Sequence, residues 1–190
     1  MSRFFVGVDL GQVRDPTAIA VLEASDVLLV RYLERIPLAT PYAGVVEQVR
    51  KVSCAKALDG RCRVVVDATG VGRPVVEMLQ SVKLGGALVP VLVTGGRAES
   101  SLDGYHKVPK SYLLRRLLTM VENGRLHIAD GLPEGRALLR EITQIKVRTR
   151  NCGRARIATW RHGEHDDLVF AVALACWGAL RERPTRSPVA

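Results

Sequence analysis

Apolar residues come first in runs, and only later at helical spacing. Phe4, Phe5, Val6, Val8 and Leu10 surround a glycine, so residues 4–10 read as a strand. Gly11 to Pro16 reads as a turn marked by Asp15-Pro16. Residues 17–23 (TAIAVLE) and 27–36 (VLLVRYLERI) are two more strand patterns. The link Ala24-Ser25-Asp26 between them is short enough for an antiparallel hairpin, so the chain is expected to open with a three-strand meander.

The period then changes. Behind Pro41, Val45, Val46, Val49, Val52 and Ala55 keep helical spacing, which predicts a helix over 41–58. Residues 62–67 contain the unbroken run Val64-Val65-Val66, as in a strand buried on both faces. A helix is expected over 70–84 with Pro74 in its first turn, then a strand over 87–93. Residues 95–109 show no period and read as a loop. Leu113, Leu114, Leu117, Leu118 and Val121 line one side of a helix over 110–123, stopped by Gly124. A short extended piece over 126–129 precedes a helix over 133–145, whose inward positions are Leu138, Leu139, Ile142 and Ile145. Residues 146–150 and 154–160 alternate charged with smaller or apolar residues around Asn151-Cys152-Gly153, a hairpin signature. Residues 166–182 form a last helix that is apolar on nearly every face, so it must lie buried. Three antiparallel strands followed by strand–helix alternation predict one α/β domain with a mixed sheet over 1–182, and a flexible Pro-containing tail over 183–190.

Composition fits that picture. A chain of 190 residues, 47% hydrophobic and 25% charged, can bury one full core. No apolar run approaches a membrane span, and Asp9 interrupts the apolar N-terminus, against a secretory signal. A cytosolic location is expected, in whatever cell makes the chain. Cys54, Cys62, Cys152 and Cys176 form no C-x-x-C pair, so free thiols are expected rather than a zinc site. The net charge of +9 favours a polyanionic partner. That charge is focused: Lys146, Arg148, Arg150, Arg154, Arg156 and Arg161 fall between 146 and 163 with no acid among them.

Against this basic background, three stretches place aspartates at the ends of apolar elements: Val6-Gly7-Val8-Asp9, Val64-Val65-Val66-Asp67 and His165-Asp166-Asp167-Leu168-Val169. A carboxylate in an apolar setting is costly unless a positive charge meets it. Sheets with crossover helices build sites at strand carboxyl ends, so Asp9 and Asp67 meet if their strands are neighbours. Two such carboxylates repel, and Mg²⁺ or Mn²⁺ resolves the conflict with hard oxygen ligands. Each Asp also has a local explanation. Asp9 could initiate a turn, Asp67 could form an Asx-turn or helix cap, and Asp166 or Asp167 could serve the helix start alone.

The order strand–Asp9, meander, strand–Asp67 and final helix opening with Asp166-Asp167 resembles the ribonuclease-H-like nuclease superfamily. Within it the chain is similar to the C-terminal nuclease domain of phage large terminase subunits. The similarity is carried by Gly7-Val8-Asp9 with Asp15-Pro16-Thr17-Ala18-Ile19 downstream, by Val66-Asp67-Ala68-Thr69-Gly70-Val71-Gly72, and by His165-Asp166-Asp167-Leu168-Val169 with Ala171. The resemblance implies a mixed sheet flanked by helices and metal-dependent cutting of double-stranded DNA during packaging. It implies Asp9, Asp67 and one or both of Asp166 and Asp167 as ligands to two Mg²⁺ or Mn²⁺ ions. It further implies a terminase ATPase domain, small terminase subunit or portal protein as partners. No G-x-x-x-x-G-K-[ST] motor motif occurs, so the chain alone is not expected to package DNA. Many relatives carry a further carboxylate one turn after the Asp matched by Asp167; Phe170 stands there, which implies a weakly held second ion.

Lys146, Arg148 and Arg150 on one strand, Arg154 and Arg156 on the return, and Arg161 beyond are expected to form a positive ribbon against phosphates, giving largely sequence-independent cleavage. A solvated edge hairpin protected by its charges is the other reading of that segment. His165, Lys110 and Asp15 are auxiliary candidates. Three further functions fit the residues: a resolvase for branched DNA on the same fold, a non-catalytic DNA-binding module that keeps the scaffold, and one lobe of an actin-like or sugar-kinase ATPase, whose first phosphate motif Val6-Gly7-Val8-Asp9-Leu10-Gly11 resembles.

Overall fold

A computed structural model describes residues 3–11, 15–70, 72–151 and 166–182, with backbone alone over 146–151. Strands β1 (Arg3–Asp9), β2 (Thr17–Ala24) and β3 (Leu28–Ile36) form the expected antiparallel meander. Helix α1 (Tyr42–Ser53) follows, then β4 (Cys62–Asp67), α2 (Gly72–Gln80) and β5 (Gly86–Thr94). The hairpin β6 (Ser100–Leu102) and β7 (Tyr105–Pro109) leads into α3 (Lys110–Glu122), β8 (Leu126–Ile128), α4 (Gly135–Asn151) and α5 (Asp167–Glu182). The strands lie in one sheet in the order β6-β7-β5-β4-β1-β2-β3-β8, with β1 parallel to β4 at its centre.

Period-two alternation splits the central strands between two cores. Phe4, Val6 and Val8 of β1 and Val64 and Val66 of β4 pack beneath α1 and α2. Phe5 of β1, Val65 of β4, Ala18 of β2 and Leu33 of β3 face the opposite layer, built from α3, α4 and α5. Helix α5 lies between the sheet and α3 and α4, which accounts for a helix apolar on every side. It runs antiparallel to β1, and its far end is tied down by ion pairs from Glu182 to Arg3 at 3.1 Å and to Arg63.

At Gly7 the approach of α5 is so close that a Cβ would lie 2.0 Å from the carbonyl oxygen of Ala171. The absent side chain lets the helix backbone rest on the centre of β1, one helical turn beyond its N-terminus. Among the described residues no helix is long and apolar enough to cross a membrane. Cys54 and Cys62 are free thiols.

Four expectations need correction. Leu139, expected inward on the helix over 133–145, is exposed on α4. The helix over 41–58 stops at Ser53 and is followed by a separate 3₁₀ turn over Lys56–Leu58. The loop over 95–109 contains the β6–β7 hairpin, turned by Asp103 and Gly104 at φ 53° and 79°. Residues 146–150, expected as a strand, continue α4 to Asn151. Between Arg136 and Asn151 there is no Gly or Pro to stop a helix, and Arg, Lys, Gln and Leu are favourable in one. With helix in place of strand over 146–150, the period-two rule that put Lys146, Arg148 and Arg150 on one strand face does not apply. Arg154, Arg156 and Arg161, the returning strand and the 183–190 tail lie outside the described residues.

Candidate metal centre

The topology brings one row of side chains across four strands. Asp9 and Asp67 each follow directly on the paired residues Val8 and Val66 of the parallel strands β1 and β4. On the other side Asp9 pairs with Ala18, and Ala18 pairs with Arg35. Partners in register point to one face of a sheet, so Asp67, Asp9, Ala18 and Arg35 share a row. Asp9 has the parity of Phe5, and Asp67 that of Val65, which places both on the α5 side.

Helix α5 begins above this row. The Asp166 carbonyl accepts the N–H of Phe170 at 2.9 Å, so Asp166 occupies the N-cap position and Asp167 the first helical position. Both carboxylates therefore also sit at the positive end of the helix, and the capping role is compatible with the site. The two diverge. Asp166 Oδ2 meets Lys110 Nζ at 3.1 Å, at the junction of β7 and α3. Lys110 also stands 4.8 Å over the ring of Phe170. Asp167 is 3% exposed and turns the other way, with its Oδ2 3.5 Å from Arg35 Nε.

The electrostatics identify the centre of the cluster. Burial pushes the carboxyl of Asp9 well above its ordinary range, and the charges of Asp67, Asp166 and Asp167 raise it further, against partial relief from Lys110. Burial also raises Asp67, opposed by the Thr69 backbone N–H that its Oδ1 accepts at 2.8 Å and by Lys110. The local Asx-turn reading of Asp67 is thus correct, and it leaves the second carboxylate oxygen for other partners. All the aspartates singled out from the sequence act on Asp9, as does the auxiliary Lys110. Asp15 does not; it is exposed in the β1–β2 turn and lines a 210 Å³ cleft with Gly11, Thr17 and Ile36. His165 lies outside the described residues.

Sequence reading missed the charged group behind Asp167. Arg35 donates through Nη1 to Glu134 Oε2 at 2.7 Å and through Nη2 to Glu141 Oε1. Glu141 is 4% exposed, and its Oε2 accepts the backbone N–H of Val169 at 2.8 Å in the first turn of α5. Burial lifts the Glu141 carboxyl to about 7. Two signals were present. Arg35 has the alternation of Leu33, and Glu141 stands within the apolar stripe Leu138, Ile142 and Ile145.

Comparison with solved structures gives the decisive observation. The chain superposes on the large terminase nuclease of thermophilic phage G20c with bound magnesium at a TM-score of 0.64 and 21% identity, covering 93% of this chain and 81% of that one. The chain has the large-terminase nuclease fold. The same fold relates it to the phage SPP1 large terminase nuclease domain with bound Mn (TM-score 0.59, 14% identity, 91% and 84% coverage). It relates it equally to the Mn-soaked human cytomegalovirus terminase nuclease domain (TM-score 0.56, 14% identity, 91% and 81% coverage). No family model matches the chain, and no curated protein does. The terminase-nuclease fold is thus recognisable in structure at identities where sequence comparison finds nothing.

The donor set suits a hard divalent cation. It offers carboxylate oxygens alone, and Asp9 is buried against like charges with too little positive charge to offset them. Among the described residues no three His, Cys, Asp or Glu side chains are already drawn up as a ligand set. Carboxylates without a shared cation repel, and the Lys110 ammonium takes Asp166.

Proposed function

We propose that this chain is a divalent-metal-dependent DNA endonuclease of the terminase type. The observation that carries the reading is the placement of Asp9 and Asp67 on neighbouring parallel strand ends beneath the Asp166-Asp167 start of α5. The fold shared with terminase nucleases, two of them with bound magnesium or manganese, supports it.

Asp9, Asp67 and the Asp166-Asp167 pair would hold two ions, Mg²⁺ or Mn²⁺. When bound, such ions activate an attacking water and stabilise the leaving 3′ oxygen of a phosphodiester. The chain's own residues do the rest. Asp9 contributes a carboxylate whose charge is poorly compensated, which favours exchange of its proton for a cation. Asp67 is oriented through the Thr69 N–H, so one oxygen is fixed and the other would be left for a cation. Lys110 stands at the rim of the cluster, where its ammonium neutralises carboxylate charge and can meet a phosphate oxygen. The basic segment that includes Lys146, Arg148, Arg150, Arg154, Arg156 and Arg161 supplies phosphate contacts, which hold a duplex without reading its sequence. In packaging, a terminase ATPase domain, small terminase subunit and portal protein would deliver the DNA.

Incubation of supercoiled plasmid with Mn²⁺ or Mg²⁺, with and without chelator, tests the reading. Nicked and linear products that vanish with chelator are expected, and Asp67→Asn is expected to abolish them in a folded protein. Plasmid left intact under every metal condition rejects the proposal.

A further inference from the structure

The site as read so far leaves Arg35, Glu134 and Glu141 without a role. Their placement is unusual. One guanidinium meets three carboxylates, Glu134, Glu141 and Asp167, in a place where Glu141 and Asp167 are almost wholly covered. A buried ion cluster is a poor way to add stability, because apolar side chains of similar size commonly serve as well. This one also carries more acid than base, and it borders a row that is already negative.

The geometry shows what the cluster controls. Arg35 is two strands from Asp9 in the same row, roughly 10 Å away by the usual strand spacing. Ala18 between them presents only a methyl group, so the space above it is open to a side chain from α5. Glu141 reaches α5 from α4 and accepts the Val169 N–H, one of the donors a helix start leaves without an intrahelical acceptor. Its other oxygen takes Nη2 of Arg35, whose Nε faces Asp167. The first turn of α5 is thereby gripped at its backbone and at its first side chain. Gly7 fixes the height of the helix over β1 one turn further on. Rotation of that turn would move Asp166 and Asp167 together relative to Asp9.

We propose that Arg35 and Glu141 are positioning residues that hold the Asp166-Asp167 pair in the orientation the divalent ions require. The inference rests on the metal-centre reading above and extends it to two residues that act through the first turn of α5. Partners that orient ligands from behind typically influence metal affinity or activity by ten- to a hundredfold.

The test uses the whole chain and MnCl₂ as probe. Mn²⁺ binding is followed by calorimetric titration at a temperature where circular dichroism shows each variant folded. Plasmid cleavage is measured as kcat, and duplex affinity is measured in chelator. Arg35→Ala is expected to weaken Mn²⁺ binding by about tenfold or more and to lower kcat, while duplex affinity in chelator stays at the wild-type value. Arg35→Lys is expected to recover part of the loss, since it keeps the charge but not the three-way fork. Glu141→Gln is expected to fall between, because its amide oxygen can still accept the Val169 N–H. Should Arg35→Ala not fold, Arg35→Lys and Glu141→Gln carry the test. Folded variants that bind Mn²⁺ and cleave as the wild type does would overturn the inference and leave the nuclease reading standing. A wild-type protein that binds no Mn²⁺ would overturn both.

Discussion

Asp9 is the residue on which the site turns. It ends a strand of large apolar side chains, and burial and three like charges oppose its ionisation. Asp9→Asn removes that opposition. In the absence of metal at pH 7 the variant is expected to be more stable by about 1 kcal/mol, or about 2–4 °C in midpoint, and to have no nuclease activity. Thermal denaturation in chelator checks this, and a lower midpoint would give Asp9 a structural role instead. Glu141 makes a different demand. Its ordinary value is 4.5, and burial raises it to about 7 in the folded chain. Between these values the folded state binds more protons than the unfolded state, so this group lowers stability as pH rises through the window. Glu141→Gln is expected to flatten that limb of the unfolding free energy, measured by urea denaturation in chelator between pH 4.5 and 7. A slope equal to that of the wild type would assign the limb to other groups.

At the scale of elements, the contact between β1 and α5 sets the geometry. Gly7→Ala would place a methyl carbon 2.0 Å from the Ala171 carbonyl oxygen, so α5 has to move off the sheet. A loss of about 2–4 kcal/mol in unfolding free energy is expected, of the size seen for overpacked cores or somewhat above, together with loss of cleavage. Chemical denaturation measures the first, and near-native stability would show that the helix yields easily. The same elements show which parts of the fold can be read from residues. β1, β4 and α5 were legible because burial on both faces leaves long apolar runs, broken only by the aspartates that matter. The β6–β7 hairpin was not, although Asp103-Gly104 is a strong hairpin signal, because the flanking residues Ser100, Ser101 and His106 carry no alternation. The Lys146–Arg150 alternation misled because a helix tolerates the same residues and no breaker intervenes. Arg35 and Glu141 went unseen as a pair because 106 residues separate them and only the strand order β2-β3 beneath α4 and α5 unites them.

At the scale of the whole molecule, the candidate chemistry lies at one end of the sheet and in the α3–α5 layer, while α1 and α2 close the other face around a largely aliphatic core. The proposed divalent ion would join β1, β4 and α5, which come from well-separated parts of the sequence. Mn²⁺ at about 100 times its dissociation constant is expected to raise the unfolding free energy by about 2.7 kcal/mol. Asp67→Asn is expected to lose that increment, read as the difference in thermal midpoint with and without the ion. An equal shift in the variant would place the ion elsewhere. The rung Asp67–Asp9–Ala18–Arg35 also guards assembly itself. Were β1 to pair one position out of register, its aspartate would swing to the opposite side and enter the aliphatic layer beneath α1 and α2, away from Arg35 and Lys110. The charges proposed to hold metal therefore also disfavour mispaired sheets, and a variant stripped of them is expected to tolerate misfolded alternatives more readily.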